Sequence, residues 1–216
     1  MPLQWLARLQ GLESCKLRGV RVRDGNASFG WRTGVTLAVM AVALLGCNSV
    51  HAETQVYLLR GWFGVFSAGM DSMAEQLRGR GIRAEAIAHV AWKSTVSRIV
   101  KERATGKAGR LALVGHSQGA NNAIEMAREL ETHKIPVDLL ITLAPFLQDP
   151  VPRNVVRALN YYQSPGWGTP LTADPGFAGE LLNIDIGSDL GTFHITIDKS
   201  PQVQAKVIDA IAALPP

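Results

Sequence analysis

The chain has 216 residues and a formal net charge of +4 at pH 7, enough length for one domain with a sizeable core. The excess charge sits in residues 1–52, where Arg8, Lys16, Arg18, Arg21, Arg23 and Arg32 outnumber Glu13 and Asp24; from Glu53 onward acidic and basic groups balance. No basic patch with interleaved aromatics follows, which excludes charge-driven nucleic-acid binding, and the scattered His89, His116, His133 and His194 lack metal-ligand spacing, so neither metal nor cofactor is expected.

Residues 35–46 form an uncharged apolar run behind Arg32. The run is short for a membrane span and has the length of a signal h-region. Two processing signals follow it. Val50-His51-Ala52 offers small or modest residues for a signal peptidase, giving a start at Glu53, and Leu44-Leu45-Gly46-Cys47 resembles a bacterial lipobox. An uncleaved anchor helix is the third reading. Residues 1–52 are therefore expected to be a leader and 53–216 a single domain, exported to the periplasm or envelope. Membrane attachment would come through the N-terminal segment or a lipidated Cys47. Both cysteines, Cys15 and Cys47, fall in the leader, so the domain relies on its core without disulfides.

From Thr54 strand and helix patterns alternate. Gln55–Leu59 reads as a short apolar strand ending at Arg60-Gly61. Met70, Met73, Ala74 and Leu77 recur at helical spacing, with Gly79 and Gly81 as stops. Ile82–His89 reads as a strand. Ser94 can cap a helix whose apolar face is Val96, Ile99 and Val100, stopped near Gly106. Arg110–Val114 is a strand, and Ala123, Ile124, Ala127 and Leu130 line the helix after it. Pro136 breaks the chain. Strands follow at Val137–Leu143 and Val155–Tyr162, then a Pro/Gly-rich loop near 164–179, then a strand at Glu180–Ile186. Ser200-Pro201 caps a last helix with Val203, Val207, Ile208 and Ile211 as its buried stripe. This alternation predicts an α/β domain: a mostly parallel, doubly wound sheet of about six strands with helices on both faces.

The chemistry concentrates at Gly115-His116-Ser117-Gln118-Gly119, which joins the strand at 110–114 to the following helix. In a strand–turn–helix, G-x-S-x-G places serine on a sharp turn with its hydroxyl exposed above the sheet edge. Serine needs a base, and the base an orienting carboxylate. In the order serine, acid, histidine, His194 is the base, since it lies well past Ser117 and the last strand. The acid is expected to be Asp149, then Asp174, then Asp189. Asp185 falls inside a strand, and Asp198 follows His194 and breaks the order. The oxyanion hole needs two backbone N–H groups, expected from Gln118 and Trp62. Trp62, Phe63 and Phe66 would line an apolar acyl site; His116 would pack or face that pocket.

With these residues in place, the chain from about Gln55 onward resembles a small, lidless esterase- or lipase-like member of the α/β-hydrolase superfamily. Gly115–Gly119 matches the nucleophile elbow and His194 the terminal histidine loop. Gly61-Trp62 stands where such enzymes carry a His-Gly-x oxyanion loop, with Arg60 in place of the histidine. The chain begins at what resembles the superfamily's third strand. No aspartate follows directly after the strand ending near Tyr162, where the resemblance would put the acid. The resemblance implies a minimal α/β-hydrolase fold and a serine hydrolase acting on a small-molecule acyl ester or thioester. An acyltransferase, or a non-catalytic envelope protein using the fold for binding, are the rival readings.

Overall fold

The computed structural model describes residues 53–215, except 63, 65, 66, 108 and 188–192. Six strands, β1 (Gln55–Arg60), β2 (Arg83–Ala88), β3 (Leu111–His116), β4 (Leu139–Leu143), β5 (Arg157–Tyr162) and β6 (Glu180–Asp185), form one sheet in the order β2-β1-β3-β4-β5-β6. Every pairing is parallel.

Four helices pack on the sheet: α1 (Ala68–Gly79), α2 (Trp92–Ala104), α3 (Gln118–Thr132) and α4 (Pro201–Ala212). Successive side chains of a strand point to opposite faces, and the core divides accordingly. Val56, Leu58, Ala112, Val114 and Ile141 meet Met70, Met73 and Leu77 of α1 and Val203, Val207 and Ile211 of α4. Tyr57, Leu59, Leu111, Leu113 and Leu140 meet Val96 and Ile99 of α2 and Ile124, Met126 and Leu130 of α3. Apolar residues on both faces explain why the central strands read as continuous hydrophobic runs rather than alternating ones.

The helix expected to start at a Ser94 cap begins earlier, at Trp92. Ser94 Oγ–H instead donates to the Ala91 carbonyl at 2.9 Å. Ser200 does cap α4: its Oγ accepts from Val203 N–H, with Pro201 at the first helical position. No helix among the described residues is long and apolar enough to cross a membrane.

Strand order reverses at β1: the chain leaves β1 for β2 on one side and returns to β3 on the other. The carboxyl ends of β1 and β3 are therefore the switch point of the sheet, the usual ligand position in an open parallel sheet. The Pro/Gly-rich loop is drawn toward the same edge. Thr142 Oγ1–H donates to Asn160 Oδ1 and Asn160 Nδ2–H to Asn183 Oδ1, both at 2.8 Å, across β4, β5 and β6. Asn183 Oδ1 in turn accepts from Leu171 N–H at 2.8 Å. Gln163 N–H donates to Trp167 O at 3.0 Å, which fixes Trp167 close to the end of β5.

Candidate active site

Ser117 follows β3 directly and has φ 56° and ψ −125°, a conformation that costs a residue with a side chain about 1–3 kcal/mol. Its surroundings enforce the turn. Ser117 N–H donates to Leu143 O at 2.9 Å. A Cβ on Gly115 would lie 2.3 Å from Gly119 O, and one on Gly119 2.3 Å from Leu59 O. Both motif glycines are thus required by the close approach of α3 to β1 and β3, not by turn propensity alone.

His194 lies after β6, just before a 3-10 turn at Ile197–Lys199. Its Nε2 is 2.9 Å from Ser117 Oγ, within the reach a general base needs over a nucleophile. Burial, with repulsion from His116, pushes the His194 pKa down to about 4 against an opposing pull from Asp198. At neutral pH the ring is therefore neutral and able to take a proton.

His116 is not a pocket residue. It is 2% exposed and knits three loops together. Its Nε2 faces the His194 carbonyl at 2.7 Å; a carbonyl only accepts, so Nε2 carries the proton. Nδ1 then accepts from Ser67 Oγ–H at 2.8 Å, and Ser67 Oγ accepts from Gly61 N–H at 2.9 Å. Burial lowers the His116 pKa to about 4, which keeps this tautomer neutral. The histidine loop, the nucleophile turn and the loop after β1 are coupled through one ring.

That coupling also sorts the backbone donors. Gly61 N–H is occupied by Ser67, which leaves Trp62 as the next N–H of the loop. A Cβ on Gly61 would lie 3.1 Å from Ser117 Cβ, so this loop runs directly against the nucleophile. Gln118 is the first residue of α3, where an N–H has no intrahelical acceptor. Arg60, at the position of the resemblance's histidine, points instead to Asp71 of α1, Nε donating to Oδ2 at 2.8 Å.

Asp149 and Asp174 are held by other partners. Asp149 Oδ2 accepts from Asn121 Nδ2 at 2.6 Å; Asn121 Oδ1 also accepts from Phe146 N–H and Leu147 N–H, pinning the whole 146–149 loop to α3. Asp174 pairs with Arg128. Asp189 lies outside the described residues, as do Phe63 and Phe66. The fully buried carboxylate whose charge acts on His194 is Asp198. Its Oδ2 accepts from Gly69 N–H at 2.9 Å. Burial pushes the Asp198 carboxyl pKa up, while Lys199 and the Gly69 N–H pull it down.

Aromatic rings rim the serine. Trp167 stacks 4.6 Å from the His194 ring, Phe146 lies 6.5 Å from Trp167, and Trp62 lies 5.6 Å from Phe146. All three, with Leu147, Phe193 and Ile195, are exposed. Among the described residues no group of His, Cys, Asp and Glu could hold a metal ion.

No protein-family model matches the chain, and no curated protein sequence does. Solved structures do. A metagenome-derived lipolytic enzyme, from work on LipS and LipT, superposes with a TM-score of 0.54 at 9% identity, covering 76% of this chain and 95% of its own. The lin2722 product of Listeria innocua superposes with a TM-score of 0.52 at 14% identity, covering 72% and 92%. The chain has the α/β-hydrolase fold. Within it, Ser117 lies at the turn between β3 and α3, and the loop after β1 packs against that turn.

Proposed function

We propose that the protein is a serine hydrolase that cleaves a carboxylic ester or thioester through an acyl-enzyme. The 2.9 Å contact between Ser117 Oγ and His194 Nε2, at a strained elbow, carries this reading. His194 Nε2 takes the proton from Ser117 Oγ–H as Oγ bonds to the acyl carbon, and the carbonyl oxygen becomes an oxyanion facing the N–H groups of Trp62 and Gln118. Losing one such donor typically costs about 3 kcal/mol of transition-state stabilisation. The carbon–oxygen or carbon–sulfur bond breaks as the His194 imidazolium gives its proton to the leaving alcohol or thiol. Water then attacks the Ser117 ester, His194 accepts its proton, and collapse returns that proton to Oγ as the acid departs.

Trp62, Phe146 and Trp167 supply apolar area beside the serine for the acyl group. The lipolytic fold neighbour agrees with an ester substrate. The apolar run at 35–46 supports export, with residues 1–52 as leader.

The test uses p-nitrophenyl butyrate and a fluorophosphonate probe. Wild-type protein should hydrolyse the ester, keep its activity in EDTA, and take one phosphonate on Ser117. Ser117→Ala should lose roughly 10³-fold or more in kcat. Undiminished turnover by Ser117→Ala sinks the reading.

A further inference from the structure

The Ser117–His194 pair leaves two buried polar atoms beside it. His194 Nδ1 and Asp198 Oδ1 are both buried, and neither has a hydrogen-bond partner among the described residues. The two are complementary. A neutral imidazole that accepts at Nε2 carries its proton on Nδ1, and an ionised carboxylate only accepts. Buried polar atoms are rarely left unpaired in native proteins, and here a donor and an acceptor are left unpaired four residues apart in the chain.

We propose that Asp198 is the positioning carboxylate of the site, holding the His194 ring in its Nδ1–H tautomer and steadying the imidazolium formed during turnover. This assignment rests on the acyl-transfer reading. It departs from the usual chain order, because the acid follows its histidine by four residues.

The rest of the Asp198 side chain is already fixed for this role. Gly69 N–H holds Oδ2 at 2.9 Å. Gly69 is the second residue of α1, so the carboxylate sits at a helix N-terminus, where negative charge is favoured. The approach is so close that a Cβ on Gly69 would fall 1.9 Å from the Asp198 carbonyl oxygen. Ser67 at the N-cap makes no side-chain cap bond, leaving Asp198 to serve this end of α1. The free oxygen, Oδ1, faces Lys199 Nζ at 3.6 Å and His116 Nδ1 at 4.0 Å. His116 Nδ1 already accepts from Ser67 and has no proton to offer. His194 Nδ1 is the imidazole nitrogen of the site that carries a proton and has no acceptor among the described residues. Catalytic hydrogen bonds are often long without substrate and tighten in the Michaelis complex.

Asp198→Asn in the full-length protein is the test, since asparagine keeps an oxygen for Gly69 N–H and removes the charge. Its kcat on p-nitrophenyl butyrate should fall by about 10²–10⁴-fold, the scale of losing a triad carboxylate. KM should change little, and the acidic limb of kcat should move to lower pH, because the charge favouring the imidazolium is gone. A wild-type kcat and pH profile overturns the assignment, as does a wild-type Asp198→Asn beside a disabled Asp149→Asn. Should Asp198→Asn fail to fold, 15N NMR of the histidines in the wild-type protein decides: an Nδ1–H tautomer of His194 with a far-downfield proton is expected, and an Nε2–H tautomer refutes it. Phosphonate labelling separates the two failures. Labelled Ser117 with an unaffected Asp198→Asn defeats only the role of Asp198, whereas unlabelled Ser117 defeats the acyl-transfer reading itself.

Discussion

Acidification should unfold this protein through His116 before most of its carboxylates matter. The ring is 2% exposed, and burial takes its pKa from 6.5 to about 4. A folded-state pKa below the unfolded value means that the unfolded chain binds the extra proton. The stability from His116 is therefore complete above pH 6.5 and drains away as pH falls toward 4. For these two pKa values, linkage gives a loss of about 2 kcal/mol between pH 7 and pH 4.5. That is a large part of the roughly 5–15 kcal/mol that holds a domain together. Urea denaturation of wild-type and His116→Gln protein at pH 7, 5.5 and 4.5 isolates the contribution, because glutamine does not titrate and its amide can still donate toward the His194 carbonyl. The variant should be weaker at pH 7, having lost the Ser67 contact geometry, but its stability should fall less with acid. Parallel losses in the two proteins would falsify the argument that the network holds His116 neutral.

Two further outcomes are expected. Ser117→Gly relieves the φ 56° turn and should raise unfolding free energy by about 1 kcal/mol while abolishing ester hydrolysis; a less stable glycine variant contradicts strain at the elbow. Protein recovered from the envelope of an expressing bacterium should begin at Glu53 or carry a lipid on Cys47. An intact mass equal to the full chain, found in the cytoplasmic fraction, contradicts export.

The sharp turn at Ser117 was legible because Gly115, Ser117 and Gly119 answer to local geometry: a strand must turn into a helix with no room for side chains. His194 was legible by chain order, since it alone of the histidines lies past the last strand. The six strands were legible from apolar runs, though Val137 only bridges Val155 before regular pairing starts at Leu139. The carboxylate proposed to orient His194 was not legible in the same way. Asp149 looked well placed after β4, but Asn121, whose sequence context carries no signal, captures it. Asp198 acquires its setting from Gly69, far upstream, and a contact between the start of α1 and the approach to α4 leaves no local pattern. Of the two expectations for His116, packing or facing the pocket, the structure shows packing. A residue inside the elbow motif suggests the pocket, whereas its partners Ser67 and the His194 carbonyl come from opposite ends of the domain.

A sheet with only parallel neighbours also constrains how quickly the protein can assemble. Parallel strands cannot be joined by tight hairpins, so every rung of the ladder waits for a loop to close. Even the most local pairing brings Leu140 to Ala158, and β1 must find β3 across the whole of α1, β2 and α2, with Gln55 meeting Leu111. Such non-local contacts fold slowly and expose apolar strands on the way. The two strands that lead into Gly61 and Ser117 are the pair with the longest search. On refolding, helical signal should therefore return well before ester turnover, and intermediates lacking the β1–β3 contact would be the species most prone to aggregate.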